Sequence, residues 1–71
     1  METRVIRGQE CYFHHTSYVR RYVSRRAKNP EEPGAVGYYE PYKGRFGTGF
    51  AEYTPNHGST QYSYITYWIR K

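Results

Sequence analysis

The sequence predicts a small single domain of the α+β class. It would hold a three-stranded antiparallel meander in its C-terminal half, one or two N-terminal strands, and one amphipathic helix packed on one sheet face. Three observations carry that expectation. Residues 36–71 contain runs of aromatic and β-branched residues separated by segments rich in Gly, Pro and Asn. Residues 18–28 repeat apolar side chains at a helical period behind Thr16 and Ser17, either of which can cap a helix. A polar Asn-Pro-Glu-Glu-Pro-Gly stretch divides the two halves, which gives a β-α-β-β-β order.

On this reading residues 1–71 divide into an extended N-terminal segment (1–15), a helix (16–28), a linker (29–35) and the meander (36–71). Residues 3–7 and 9–14 are extended in character and flank Gly8, as either one bulged strand or a small hairpin. On a strand, Cys11 and Phe13 would share one face, with Tyr12 and His14 on the other. In the helix, Tyr18, Val19, Tyr22, Val23 and Ala27 cover one half of the wheel. Arg20, Arg21, Ser24, Arg25 and Lys28 cover the other. Asn29-Pro30 ends it, because a residue before proline avoids the helical region.

The meander runs from Val36 to Tyr42, turns at Lys43-Gly44, continues from Arg45 to Thr54, turns again around His57-Gly58 and returns to Lys71. Pro41 cannot donate to a ladder, so the first of these strands belongs at an edge. With Tyr42 opposite Arg45 and Phe50 opposite Ile65, two faces separate. One gathers Tyr39, Phe46, Phe50, Ile65, Tyr67 and Ile69, and the helix is assigned to it. The other gathers Tyr38, Tyr42, Tyr53, Tyr62, Tyr64 and Trp68, with Arg45 and Arg70 at its rim. Gly47 and Gly49 would lie under these rings, and large side chains can cover weak strand positions in this way.

Composition points to a binding role. Ten of the fourteen aromatic residues are tyrosine and the net charge is +5, with a mean hydropathy of −1.05. Residues 1–28 carry seven basic and two acidic side chains, while residues 29–71 carry four of each. The positive excess is therefore concentrated toward the N-terminus, which suits an anionic partner. Flat rings stack on unpaired bases whatever the sequence, at about 1–3 kcal/mol per base, and basic residues hold the phosphates.

The first expectation is thus a non-enzymatic module for single-stranded RNA or DNA. It would use Tyr38, Tyr42, Arg45, Tyr53, Tyr62, Tyr64, Trp68 and Arg70 on the sheet, and Arg20, Arg21, Arg25 and Lys28 on the helix. The alternative is a protein-docking factor (inhibitor, adaptor or assembly subunit) that uses the same Tyr/Trp face, which could also join copies of the chain into a homo-oligomer. A small ribonuclease of the toxin type is the enzymatic alternative, with histidine moving protons and a cation stabilising the phosphate. No catalytic motif selects it.

Other classes find less support. A single cysteine, Cys11, leaves no intrachain disulfide framework. No apolar run is long enough for a bilayer, and Met1-Glu2-Thr3-Arg4 begins no signal peptide. A cytoplasmic protein is expected. No metal is expected at Cys11, His14, His15 and His57, since zinc spacing is lacking and neighbours on a strand point to opposite faces. No cofactor is expected either, since Gly44-Arg45-Phe46-Gly47-Thr48-Gly49 does not open a helix in this reading.

Overall fold

The computed structural model describes residues 2–28, 34–56, 58 and 61–71. Five antiparallel strands form one sheet: β1 (Thr3–Ile6), β2 (Gln9–Val19), β3 (Tyr38–Gly44), β4 (Gly47–Pro55) and β5 (Ser63–Arg70). Their spatial order is β1-β2-β5-β4-β3. The N-terminal segment is a hairpin, closed by Arg7 and Gly8 at φ 51° and 81°. Two consecutive positive φ angles are what a two-residue hairpin turn with right-handed strand twist requires. The C-terminal meander is present with β4 in its middle, and β3, which carries Pro41, is an edge strand.

The α+β expectation is overturned, because the described residues contain no helix. Thr16, Ser17, Tyr18 and Val19 end β2 and pair with Thr66, Ile65, Tyr64 and Ser63. These are mostly β-branched or aromatic residues, which fit a pleated surface, and Thr16 Oγ1 meets Thr66 Oγ1 across the ladder at 3.0 Å. Beyond them, the Ser24 hydroxyl accepts from the Arg26 amide at 3.1 Å and the Ser24 carbonyl accepts from the Ala27 amide at 3.1 Å. A serine hydroxyl offered to a nearby amide is a standard competitor of helix, and the carbonyl bond closes a single turn. The crossover from β2 to β3 ends in an isolated bridge between Lys28 and Val36. Most of the 29–35 linker lies outside the described residues.

Alternation along the paired strands defines two faces. The inner face carries Arg4, Ile6, Cys11, Phe13, Trp68, Phe50, Glu52 and Tyr39. The sheet curls toward this face until its edges meet: Arg4 of β1 donates to the Tyr39 hydroxyl of β3, and Arg7 donates to the Tyr39 carbonyl at 3.3 Å. Inside the curl Ile6, Cys11, Tyr39 and Trp68 form the core, with Phe50 packed against it. The outer face is covered from two sides. Arg21 and the buried Val23 of the crossover lie at one end, and Phe46 folds back from the β3–β4 turn at the other.

The expected registers shift, with unequal consequences. Tyr42 faces Gly49 instead of Arg45, and the turn falls at Arg45-Phe46 instead of Lys43-Gly44. Phe50 faces Trp68 instead of Ile65. The second change moves Trp68 onto the core face and Ile65, Tyr67 and Ile69 onto the other. The expected turn centre, His57-Gly58, includes His57, which is outside the described residues.

Candidate nucleic-acid interface

An exposed aromatic group stands where β2 ends and β5 begins. Tyr18 and Tyr64 face each other across the two strands, with ring centroids 5.3 Å apart. Tyr18 also stacks on Tyr62 at 5.0 Å and 16°. Tyr18 is 51% exposed and Tyr64 42%, so these rings keep open faces that a base could cover. The curl explains why: β1 spans only the Gln9–Tyr12 stretch of β2, so the far end of the inner face stays uncovered.

Basic residues reach the same end. The crossover leaves β2 directly after Val19, and Arg20, Arg25, Arg26 and Lys28 are exposed along it. The Ser24 hydrogen bonds set Arg25 and Arg26 at the tip of a turn, and the Gly37 amide donates to the Ala27 carbonyl at 3.0 Å to tie its far side. A groove of about 210 Å³ runs between this turn and the end of β4, lined by Tyr22, Arg25, Arg26, Pro55 and Asn56 among others. Asn56 joins groove and rings. Its Nδ2 donates to the Tyr18 hydroxyl at 2.8 Å, and its Oδ1 accepts from the Gly58 amide at 3.0 Å. Exposed rings and basic side chains thus share one rim.

Of the residues expected from sequence, Tyr62, Tyr64, Arg20, Arg25 and Lys28 belong to this end of the molecule. The others are dispersed. Tyr38 and Tyr53 stack on the outer face at 5.2 Å, beneath Arg21, whose guanidinium lies 4.3 Å from the Tyr53 ring and pairs with Glu40 at 2.7 Å. Arg21 is therefore engaged in packing. Burial pushes the Tyr53 phenol above its ordinary range, with Arg21 pulling it partly back. Tyr42 meets Tyr67 at 4.9 Å at the other end of that face, and Arg45 lies over Phe46 at 5.4 Å. Trp68 is 2% exposed and buried in the core, and Arg70 sits at the far end of the inner face. The expected single platform of six rings does not form.

Sequence reasoning missed Tyr18, Tyr22 and Asn56. The signal available for Tyr18 was the alternation of Thr16 and Tyr18 against Ser17 and Val19, which reads as strand as readily as helix.

The histidines also depart from expectation. A bulge between Phe13 and His15 breaks the alternation that would send neighbouring side chains to opposite faces. His14 and His15 converge, with Nδ1 atoms 2.6 Å apart and both rings against Phe46. That contact needs one nitrogen to donate and the other to accept. Among the described residues no group of three His, Cys, Asp or Glu side chains could hold a metal. Among them there is also no helix long and apolar enough to cross a membrane. None of the family models, curated proteins or solved structures compared with the chain matches it, so no relative lends it a function.

Proposed function

We propose that the chain is a non-enzymatic module that binds single-stranded RNA or DNA at the tyrosine–arginine rim. The observation that carries this is the open Tyr18–Tyr62–Tyr64 stack, joined through Asn56 to the groove beside Arg25 and Arg26. A base laid on Tyr64 or Tyr18 replaces water over an apolar ring, and the next phosphates fall toward the exposed arginines. Stacking is tolerant of base identity, so the reading implies little sequence preference. Tyrosine, arginine and asparagine hold a strand without supplying an acid–base pair. The His14–His15 couple, better suited to moving protons, lies against Phe46 at the other end of the molecule. A cytoplasmic setting goes with this reading.

Fluorescence anisotropy of a labelled single-stranded RNA, repeated over a salt series, tests it. Tyr18→Ala and Tyr64→Ala should each weaken binding by about 1–3 kcal/mol. Arg25→Gln with Arg26→Gln should weaken it and flatten the salt slope by roughly 0.7 for each phosphate no longer neutralised. Wild-type protein that ignores RNA and DNA at low salt would refute the proposal and turn the rim into a protein-docking surface. Concentration-dependent self-association that disappears in Tyr18→Ala would point the same way, to a second copy of the chain.

A further inference from the structure

We propose that the opposite end of the curled sheet is a separate ligand site, a pocket for a mononucleotide, meaning a planar ring that carries a phosphate. Four strands contribute to it. Gln9 begins β2, Lys43 lies at the end of β3, Thr48 and Phe50 lie on β4, and Arg70 ends β5, all lining one cavity of about 420 Å³. Alternation places each of these side chains on the inner face. Along β5, Arg70 is six residues from Tyr64, about 20 Å at the strand rise, so the pocket and the tyrosine rim are distinct. The volume falls within the span of small-ligand pockets, roughly 300–1,000 Å³.

The chemistry selects the ligand class. Lys43 and Arg70 bring two positive charges into the pocket, no carboxylate lines it, and neither forms an ion pair among the described residues. Both cations are exposed beside one cavity, so an anion held there would be attracted by each. A guanidinium fork with a point-charge ammonium suits a phosphate, which presents several oxygens at once. The remaining wall is different in kind. Phe50 is a half-buried ring at the edge of the core, with the Arg7 guanidinium 5.4 Å from its centre, and Pro41 beside it completes an apolar side. Inorganic phosphate would leave that side wet, and an uncharged ring would leave the cations uncompensated. A ligand with both a ring and a phosphate covers both walls, and Gln9 and Thr48 supply hydrogen-bonding groups for its sugar or base edge.

Calorimetric titration of the full chain with adenosine monophosphate, adenosine and inorganic phosphate tests the assignment. The monophosphate should bind saturably, and each of the other two at least about tenfold more weakly. Lys43→Gln with Arg70→Gln changes two exposed side chains outside the core and should weaken the monophosphate about tenfold or more. A near-ultraviolet spectrum checks that this variant stays folded. Tyr18→Ala should bind the monophosphate like wild type, which separates this pocket from the rim even if the rim binds no nucleic acid. The proposal is overturned if the monophosphate fails to bind at millimolar concentration, if it binds the double variant equally well, or if Tyr18→Ala abolishes it. Phosphate binding as tightly as the nucleotide would also overturn it, leaving an anion site without a ring wall.

Discussion

Glu52 is the side chain whose removal should damage the fold most for the fewest atoms changed. It projects from β4 onto the inner face, where Oε1 accepts from Trp68 Nε1 at 2.9 Å and Oε2 accepts from Arg4 at 3.3 Å. Arg4 in turn lies 4.4 Å over the Trp68 ring and donates to the Tyr39 hydroxyl. One carboxylate thereby joins β1, β3, β4 and β5 and holds the curl shut. Its side chain is 13% exposed and that of Arg4 28%, so water screens the pair only partially.

Glu52→Ala strands the buried indole N–H, at about 1–3 kcal/mol. It also removes the nearest carboxylate from a half-buried guanidinium. Breaking a fully buried pair costs about 3–5 kcal/mol, and partial exposure reduces that share. A total near 2–3 kcal/mol is expected. A chain of this length has roughly 4–10 kcal/mol in all, so the variant should lose a large fraction of its stability. Glu52→Gln keeps an acceptor for the indole and should lose about 1 kcal/mol. Urea unfolding followed by Trp68 emission measures both, because Trp68 is buried and passes into water on unfolding. An alanine variant within about 0.5 kcal/mol of wild type, inside the range of ordinary surface changes, would refute the reasoning. The curl would then be held by apolar burial alone.

Other expectations follow from single residues. A Cβ on Gly49 would overlap the Trp68 carbonyl and stand 2.9 Å from the Ile69 Cα, so Gly49→Ala should cost about 2 kcal/mol or more in the same unfolding assay; an unchanged midpoint would contradict the β4–β5 register. Cys11 is fully buried, and burial pushes its thiol up while Arg70 pulls it partly back, so alkylation at pH 8 should await opening and run about a thousandfold slower than in urea. Rapid labelling of the native protein would show that the β1–β2 hairpin is loose. Tyr53 holds its proton more tightly folded than unfolded, so its stabilising contribution is intact below about pH 10 and is lost as pH rises through the raised value. Tyr53→Phe, which cannot ionise, should flatten that alkaline loss, and an identical pH profile would remove Tyr53 as its cause.

The two register shifts explain how much of the sheet was legible in the sequence. Between β3 and β4 the pairing moves by four residues, since Tyr42 faces Gly49 where Arg45 was expected. Four is even, so the faces survive: Tyr38, Tyr42 and Tyr53 still share one side, and Tyr39 and Phe50 the other. Between β4 and β5 the pairing moves by three, since Phe50 faces Trp68 where Ile65 was expected. Three is odd, and every β5 side chain changes face. The cause lies in the connection. A tight turn at His57-Gly58 was expected, whereas β4 ends at Pro55 and β5 begins only at Ser63. What picks the observed register is burial: it sets the Trp68 indole beside Phe50 in the core and brings its N–H to Glu52, a partner the other register does not offer.

The error over residues 16–28 bears more directly on function. A helix on the back of the sheet would carry its arginines away from any ring on the opposite face, so one strand of nucleic acid could not reach both. In the structure the first four of those residues extend β2, which delivers Tyr18 to Tyr62 and Tyr64 at the sheet's end. The chain then folds at Ser24 within reach of Asn56, whose amide holds the Tyr18 hydroxyl. The side-chain pattern that mimics a helix is satisfied in another way: Val23 is buried, Arg21 lies over Tyr53, and Tyr22 is left 66% exposed. A helix would have buried Tyr22 with Val19 and Val23. Its exposure beside Arg25 and Arg26 follows from the strand-and-turn conformation, and it adds an open ring to the basic groove at the tyrosine rim.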